Sequence, residues 1–341
     1  MPPLLHTRRS CRHHTALLLA MSLTVCVPTP AGSADAAPAP AGAWSTVSPS
    51  DVFAALDLVD RVLDRLVEER AVTPPSLPPL DESALGPLHA YQIILACNNR
   101  LQQFNTLVQG PTVPTIVASP RVYRPHDVYQ VVAVMLDNTR QLAKDAGITD
   151  LPDRPQNFEG KKPTDVFRLG AEVYFKLVGL CGQQKISPNA VFAEMVRGTD
   201  DVRSILRQAD PASRYRIDAP HTDAPRKPAD VLRLCLEIRQ QINAHRRGLG
   251  MTEVPTPAFP TDRVVKPIEP FLQSQIIIAE LNLLKLKTGT ISSTPLPIPV
   301  DGKTPVDVYN EATLMSYLLD QISVSDAAGA PPLAQSPAPA H

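Results

Sequence analysis

The chain has 341 residues, 43% of them apolar and 20% charged, with a formal net charge of −1. That is enough apolar matter for a real core, and near-neutrality without a basic tract after the leader argues against nucleic acid as the main partner. Proline is the outlier, with 37 residues against 8 Phe and one Trp.

Residues 1–36 read as a secretory signal peptide. Arg8, Arg9 and Arg12 form a positive region, Thr15 to Val27 an apolar run of 13 residues, and Ala34-Asp35-Ala36 a cleavage site. The run falls short of the ~20 apolar residues that cross a bilayer. Leu23-Thr24-Val25-Cys26 has the outline of a lipoprotein box, but bulky Val25 stands where a small residue is needed. Ordinary export to the periplasm or the medium, with cleavage after Ala36, is therefore expected. Residues 37–44, rich in Ala and Pro, are expected to be disordered, as is the tail 326–341. No transmembrane segment is expected in the mature chain.

From residue 45 onward a phrase, Pro-x-Asp-Val-aromatic, keeps returning: Pro49 to Phe53, Pro125 to Tyr129, Pro163 to Phe167 and Pro305 to Tyr309, with Pro228 to Leu232 ending in Leu. Weaker copies begin at Pro87, Pro188 and Pro267. Proline suits the first position of a helix, where its missing N–H is not needed. Asp51, Asp127, Asp165, Asp230 and Asp307 then become third helical residues, where a carboxylate meets free backbone N–H groups. Ser48 and Thr304 can cap in return. These aspartates are read as helix starters rather than cation ligands.

The prolines stand at 49, 87, 125, 163, 188, 228, 267 and 305, giving gaps of 38, 38, 38, 25, 40, 39 and 38. A fixed period in this range marks a repeat architecture. Apolar residues recur at offsets +3, +4, +7, +10, +14 and +17 from each proline, as in Val52, Phe53, Leu56, Val59, Leu63 and Leu66. This is a heptad seam, the pattern of near-parallel packed helices. The fold class expected is all-α: eight helices of about 20 to 24 residues, each some 30 to 36 Å long, joined by proline-rich extended connectors.

Connectors such as Thr294-Pro295-Leu296-Pro297-Ile298-Pro299 favour polyproline II. Antiparallel up-and-down neighbours are the expected arrangement, because that is the commoner solution; parallel neighbours with returning connectors are the alternative. The short gap, where Gly179 to Ser187 replaces a proline-rich connector, suggests two tandem four-helix bundles, 45–186 and 187–325.

Chemistry is sparse. Cys97, Cys181 and Cys235 lie among apolar neighbours and read as buried thiols. No cofactor or metal motif is found: E-x-x-H, C-x-x-C-H, G-x-S-x-G, the P-loop and G-x-G-x-x-G are all missing. His245, at seam offset +17, is the one histidine expected to point inward. The polar groups Asn98, Asn99 and Arg100 and, one helix later, Asn138 and Arg140 are the ligand candidates, alongside His245. Small seam residues Gly170, Gly198, Ser274 and Ala312 mark close contacts or a cavity. The leading expectation is an exported, non-catalytic helical-repeat protein of the cell envelope that binds a protein partner or acts as a scaffold. Alternatives are a periplasmic sensory or solute-binding module and an enzyme with no recognisable motif.

Overall fold

A computed structural model describes residues 47–110, 112–211 and 218–322. The leader, residues 37–44 and the tail 326–341 lie outside them. The described residues hold eight helices and no strand: α1 (Pro49–Glu69), α2 (Pro87–Val108), α3 (Pro125–Asp145), α4 (Pro163–Leu180), α5 (Pro188–Ala209), α6 (Pro228–Gly248), α7 (Ile268–Lys287) and α8 (Pro305–Leu319). The helices run from 15 to 22 residues, somewhat shorter at α4 and α8 than the seam suggests.

Their starts follow from the recurring phrase. Asp51, Asp127, Asp165, Asp230 and Asp307 each accept the backbone N–H of the residue before the proline, at 2.7–2.8 Å. Ser48 and Thr304 return the bond through their hydroxyls. In α2 the imidazole of His89 takes the carboxylate's place, its Nδ1 accepting from Gly86 N–H at 3.0 Å. α7 departs by one residue: Pro267 sits just outside the helix, and Glu269 accepts from Lys266 N–H.

Helix direction corrects the expectation of antiparallel neighbours. Pro49, Pro87, Pro125 and Pro163 ring one apolar dimple, so α1–α4 all begin at the same end. Pro188, Pro228, Pro267 and Pro305 ring another, so α5–α8 do likewise. The registers agree: Gly170, seven residues into α4, lies against Ile93 and Ile94 at the same depth in α2, and Gly198 meets Met315, each ten residues past its proline. The cause lies in the connectors, which are too proline-rich to curl into a loop and long enough to retrace a helix at ~3.1 Å per residue.

Polyproline II satisfies none of its own carbonyls, so helix side chains do it. Asn98 donates to Pro114 O, Arg140 to Pro152 O and Asp153 O, Arg239 to Pro255 O and Arg197 to Pro295 O. Asn243 clamps Val254 twice, donating to its carbonyl and accepting its N–H.

Within the first four helices the contacts close a ring, α1-α3-α2-α4; the last four form the ring α5-α7-α6-α8. Between the rings, α2 touches α7. His89 faces Glu280, Gln92 donates to Gln275, and Ala96 shares a cleft with Phe271, so residues advance along α2 as they recede along α7. The rings therefore point in opposite directions. Seven residues, Cys181 to Ser187, link them; these are taken up in turns and bends rather than an extended run, so they do not retrace α4, and α5 turns back.

One apolar core runs through all eight helices. α2 and α7, pressed between the rings, are buried nearly all round, as at Ile93 to Asn98 and Ile276 to Asn282. This position corrects the expectation for histidine: His89, only 2% exposed, is the buried one, while His245 is half-buried and bonds Leu319 O at 3.0 Å.

Candidate functional site

A cleft of about 320 Å³ opens where the two rings meet. α2 presents Ala96, Asn99, Arg100 and Gln103 to it, the i, i+3, i+4, i+7 spacing of one helix face. α5 answers with Ala190, Ala193 and Glu194 from its first two turns. Small alanines on both faces leave the space. Tyr174 of α4 and Phe271 of α7 form an aromatic wall, stacked with ring centres 4.6 Å apart and an interplanar angle of 22°. The connector 297–301 and Gln183 of the link close the rim.

Arg100 dominates the electrostatics. Its side chain is fixed by Tyr174 OH and Gln103 Oε1, both at 2.9 Å, and by Gln183 Oε1 at 3.4 Å. The guanidinium carbon lies 5.4 Å from the Tyr174 ring centre. Burial pushes the Tyr174 hydroxyl up to about 12, with Arg100 pulling the other way. Glu194, on the facing wall, is paired with Arg197.

Comparison with protein-family models, with curated proteins and with solved structures returned no match. The geometry alone carries the reading.

Of the residues singled out in the sequence, Asn99 and Arg100 line the cleft. Asn98 turns to the connector carbonyl of Pro114. Asn138 bonds Val134 O in its own helix at 2.8 Å, and Arg140 holds the connector after α3; neither reaches the cleft. Burial lowers the His245 pKa, and its place is beside the end of α8. The five helix-starting aspartates cap their own helices and stay outside the cleft.

Sequence reasoning missed Tyr174, Gln183, Asn189, Glu194, Phe271 and Asp301, all of them cleft-lining. They come from α4, the link, α5, α7 and the last connector, and no spacing in the chain brings them together. The one usable signal was the link itself, whose shortness forces the start of α5 against the ends of α2 and α4.

No thiol lines the cleft, although Cys181 lies beside Arg100 and donates from its Sγ to the Arg100 carbonyl. Cys97 and Cys235 are free and buried, which pushes Cys235 up to about 12 and Cys97 higher still; Cys181 is partly exposed. Among the described residues no group of three His, Cys, Asp or Glu side chains is placed to hold a metal ion. Nor is any described helix long and apolar enough to cross a membrane.

Proposed function

We propose that this is an exported, non-catalytic binding protein that takes a small ligand into the cleft between its two helix rings. The observation that carries the reading is the cleft itself: about 320 Å³, walled by an aromatic pair, with a pinned arginine reaching into it. That size and mixture suit a small molecule held by few polar groups. Of its ionisable groups, Glu194 is paired with Arg197 and Tyr174 bonds Arg100, and its lining contains no nucleophile with an adjacent base. A site that binds without reacting fits this set.

The test is a thermal-shift survey of small metabolites against the wild type and Ala190→Phe, which fills the cleft. A compound that raises Tm in the wild type and leaves Ala190→Phe unmoved supports the proposal; a survey in which every active compound acts equally on both proteins refutes it. Export is supported by the leader and predicts a mature chain beginning at Ala37, which mass spectrometry of the secreted protein checks.

A specific observation also favours a protein partner. Val117, Ile291, Leu296 and Ile298 are exposed on two connectors that are joined by a bond from Thr294 N–H to Ala118 O. If a partner docks there, Ile291→Asp with Ile298→Asp abolishes its stoichiometric co-purification while Tm is unchanged.

A further inference from the structure

We infer that the ligand of the cleft is an organic monoanion, a carboxylate on a flat apolar body, seated on Arg100 and the first turn of α5. The inference rests on the cleft being a binding site and adds the chemical class of what it binds.

Charge balance is the first ground. Arg197, Arg239 and Lys285 are buried cations, and each faces a carboxylate: Glu194, Glu82 and Asp201 respectively. Arg246, also buried, bonds the Thr252 carbonyl and makes no ion pair, but it lies in the fields of two carboxylates, Glu280 and Glu253; no carboxylate field of that kind acts on Arg100. Arg100 is 8% exposed, yet all its hydrogen-bond partners are neutral, and among the described residues no carboxylate lies within ion-pair distance. A buried charge without a counter-charge is costly. It makes sense where the counter-charge arrives from outside.

The second ground is independent. α1, α3, α4, α6, α7 and α8 each carry an acidic residue in the first turn, which offsets the positive end of the helix dipole. α5, with 22 residues, has none, and Ser187, Asn189 and Ala190 of its start line the cleft. The one long helix of its ring without an acidic first turn thus opens into the same cleft as a buried arginine that has no carboxylate beside it. The two features favour the same ligand charge.

Shape and repulsion narrow the class. Glu194 on the far wall and Asp301 at the rim share the cleft, so a dianion meets like charge there. Phe271, stacked on Tyr174, and Ile298 at the rim offer apolar surface to the ligand body.

Isothermal titration with sodium benzoate, benzamide and inorganic phosphate at constant ionic strength tests the assignment. Benzoate is expected to bind saturably, benzamide at least tenfold more weakly, and phosphate not to displace benzoate. Arg100→Gln should weaken benzoate at least tenfold. So should Gln103→Glu, which gives Arg100 a built-in carboxylate at an existing 2.9 Å contact; this variant should hold or raise Tm, separating charge from folding. Failure of benzoate to bind, equal affinity for benzamide, displacement by phosphate, or an unaltered Gln103→Glu would each overturn the inference. Benzamide binding that Ala190→Phe abolishes would keep the cleft as a ligand site and remove only its preference for an anion.

Discussion

Asp60 titrates in the opposite sense to Asp51 and Asp307 because their surroundings differ. Hydrogen bonds from the Ser48 backbone and hydroxyl hold the Asp51 carboxyl below its usual range, and Thr304 does the same for Asp307. Their stabilisation is present above the ordinary carboxylate pKa and is lost as pH falls through the depressed value. Removing such a cap, as in Asp307→Ala, should cost about 1 kcal/mol at pH 7, shrinking toward zero below pH ~3, as read by urea titration. Asp60 is the reverse case. Burial lifts its carboxyl to about 6, although Lys176 sits 2.8 Å away and pulls it down. The folded state then holds the proton more tightly, so this group's contribution is full below the ordinary value of 3.8 and is lost as pH rises through about 6. Calorimetry should show Asp60→Asn gaining Tm over the wild type as pH rises from about 4 to 7.

At the scale of the element, a connector is held by the helix it retraces. Asn243 is buried and bonds both the N–H and the C=O of Val254. Asn243→Ala strands those two backbone groups and should cost about 1–3 kcal/mol, with faster amide exchange at Val254. Asn138→Ala, whose side chain bonds only its own helix, should cost less than ~0.5 kcal/mol. The two seam glycines separate in the same way. A Cβ on Gly170 would lie 2.9 Å from Cγ2 of the stiff Ile93, whereas on Gly198 it would meet the flexible tip of Met315 at 2.6 Å. Alanine gains ~1 kcal/mol of helix propensity at either site. Overpacking of 1–3 kcal/mol should win at Gly170→Ala, leaving Gly198→Ala close to neutral in thermal denaturation.

For the whole molecule, what could be read from the chain was what local chemistry determines. Pro49, Asp51 and Val52 sit where a helix start needs them, and Leu56, Val59, Leu63 and Leu66 face the core. Helix direction was not legible, because a heptad seam reads the same whether a neighbour runs up or down; the ring of prolines settles it only in three dimensions. The burial of His89 was hidden for a similar reason, since α2 has polar positions that become interior only when α7 covers them. Half of the cleft was visible at Asn99 and Arg100, and the other half depended on which way α5 turns. The shared core predicts that residues 47–186 expressed alone will expose the α7-facing side of α2. The fragment should bind a hydrophobic dye or aggregate, and mixing with residues 187–322 should restore a sharp melting transition.

The retracing connectors also bear on how fast the molecule assembles. In an up-and-down bundle each helix docks on the one just synthesised through a turn of a few residues. Here, between neighbours such as α2 and α3, a stretch as long as the helix itself must first lay itself down, and α1 packs chiefly on α3 and α4. Loop closure is therefore costly throughout the search for the native state. Refolding after a denaturant jump should be slower than the microsecond-to-millisecond range of helical proteins with local contacts.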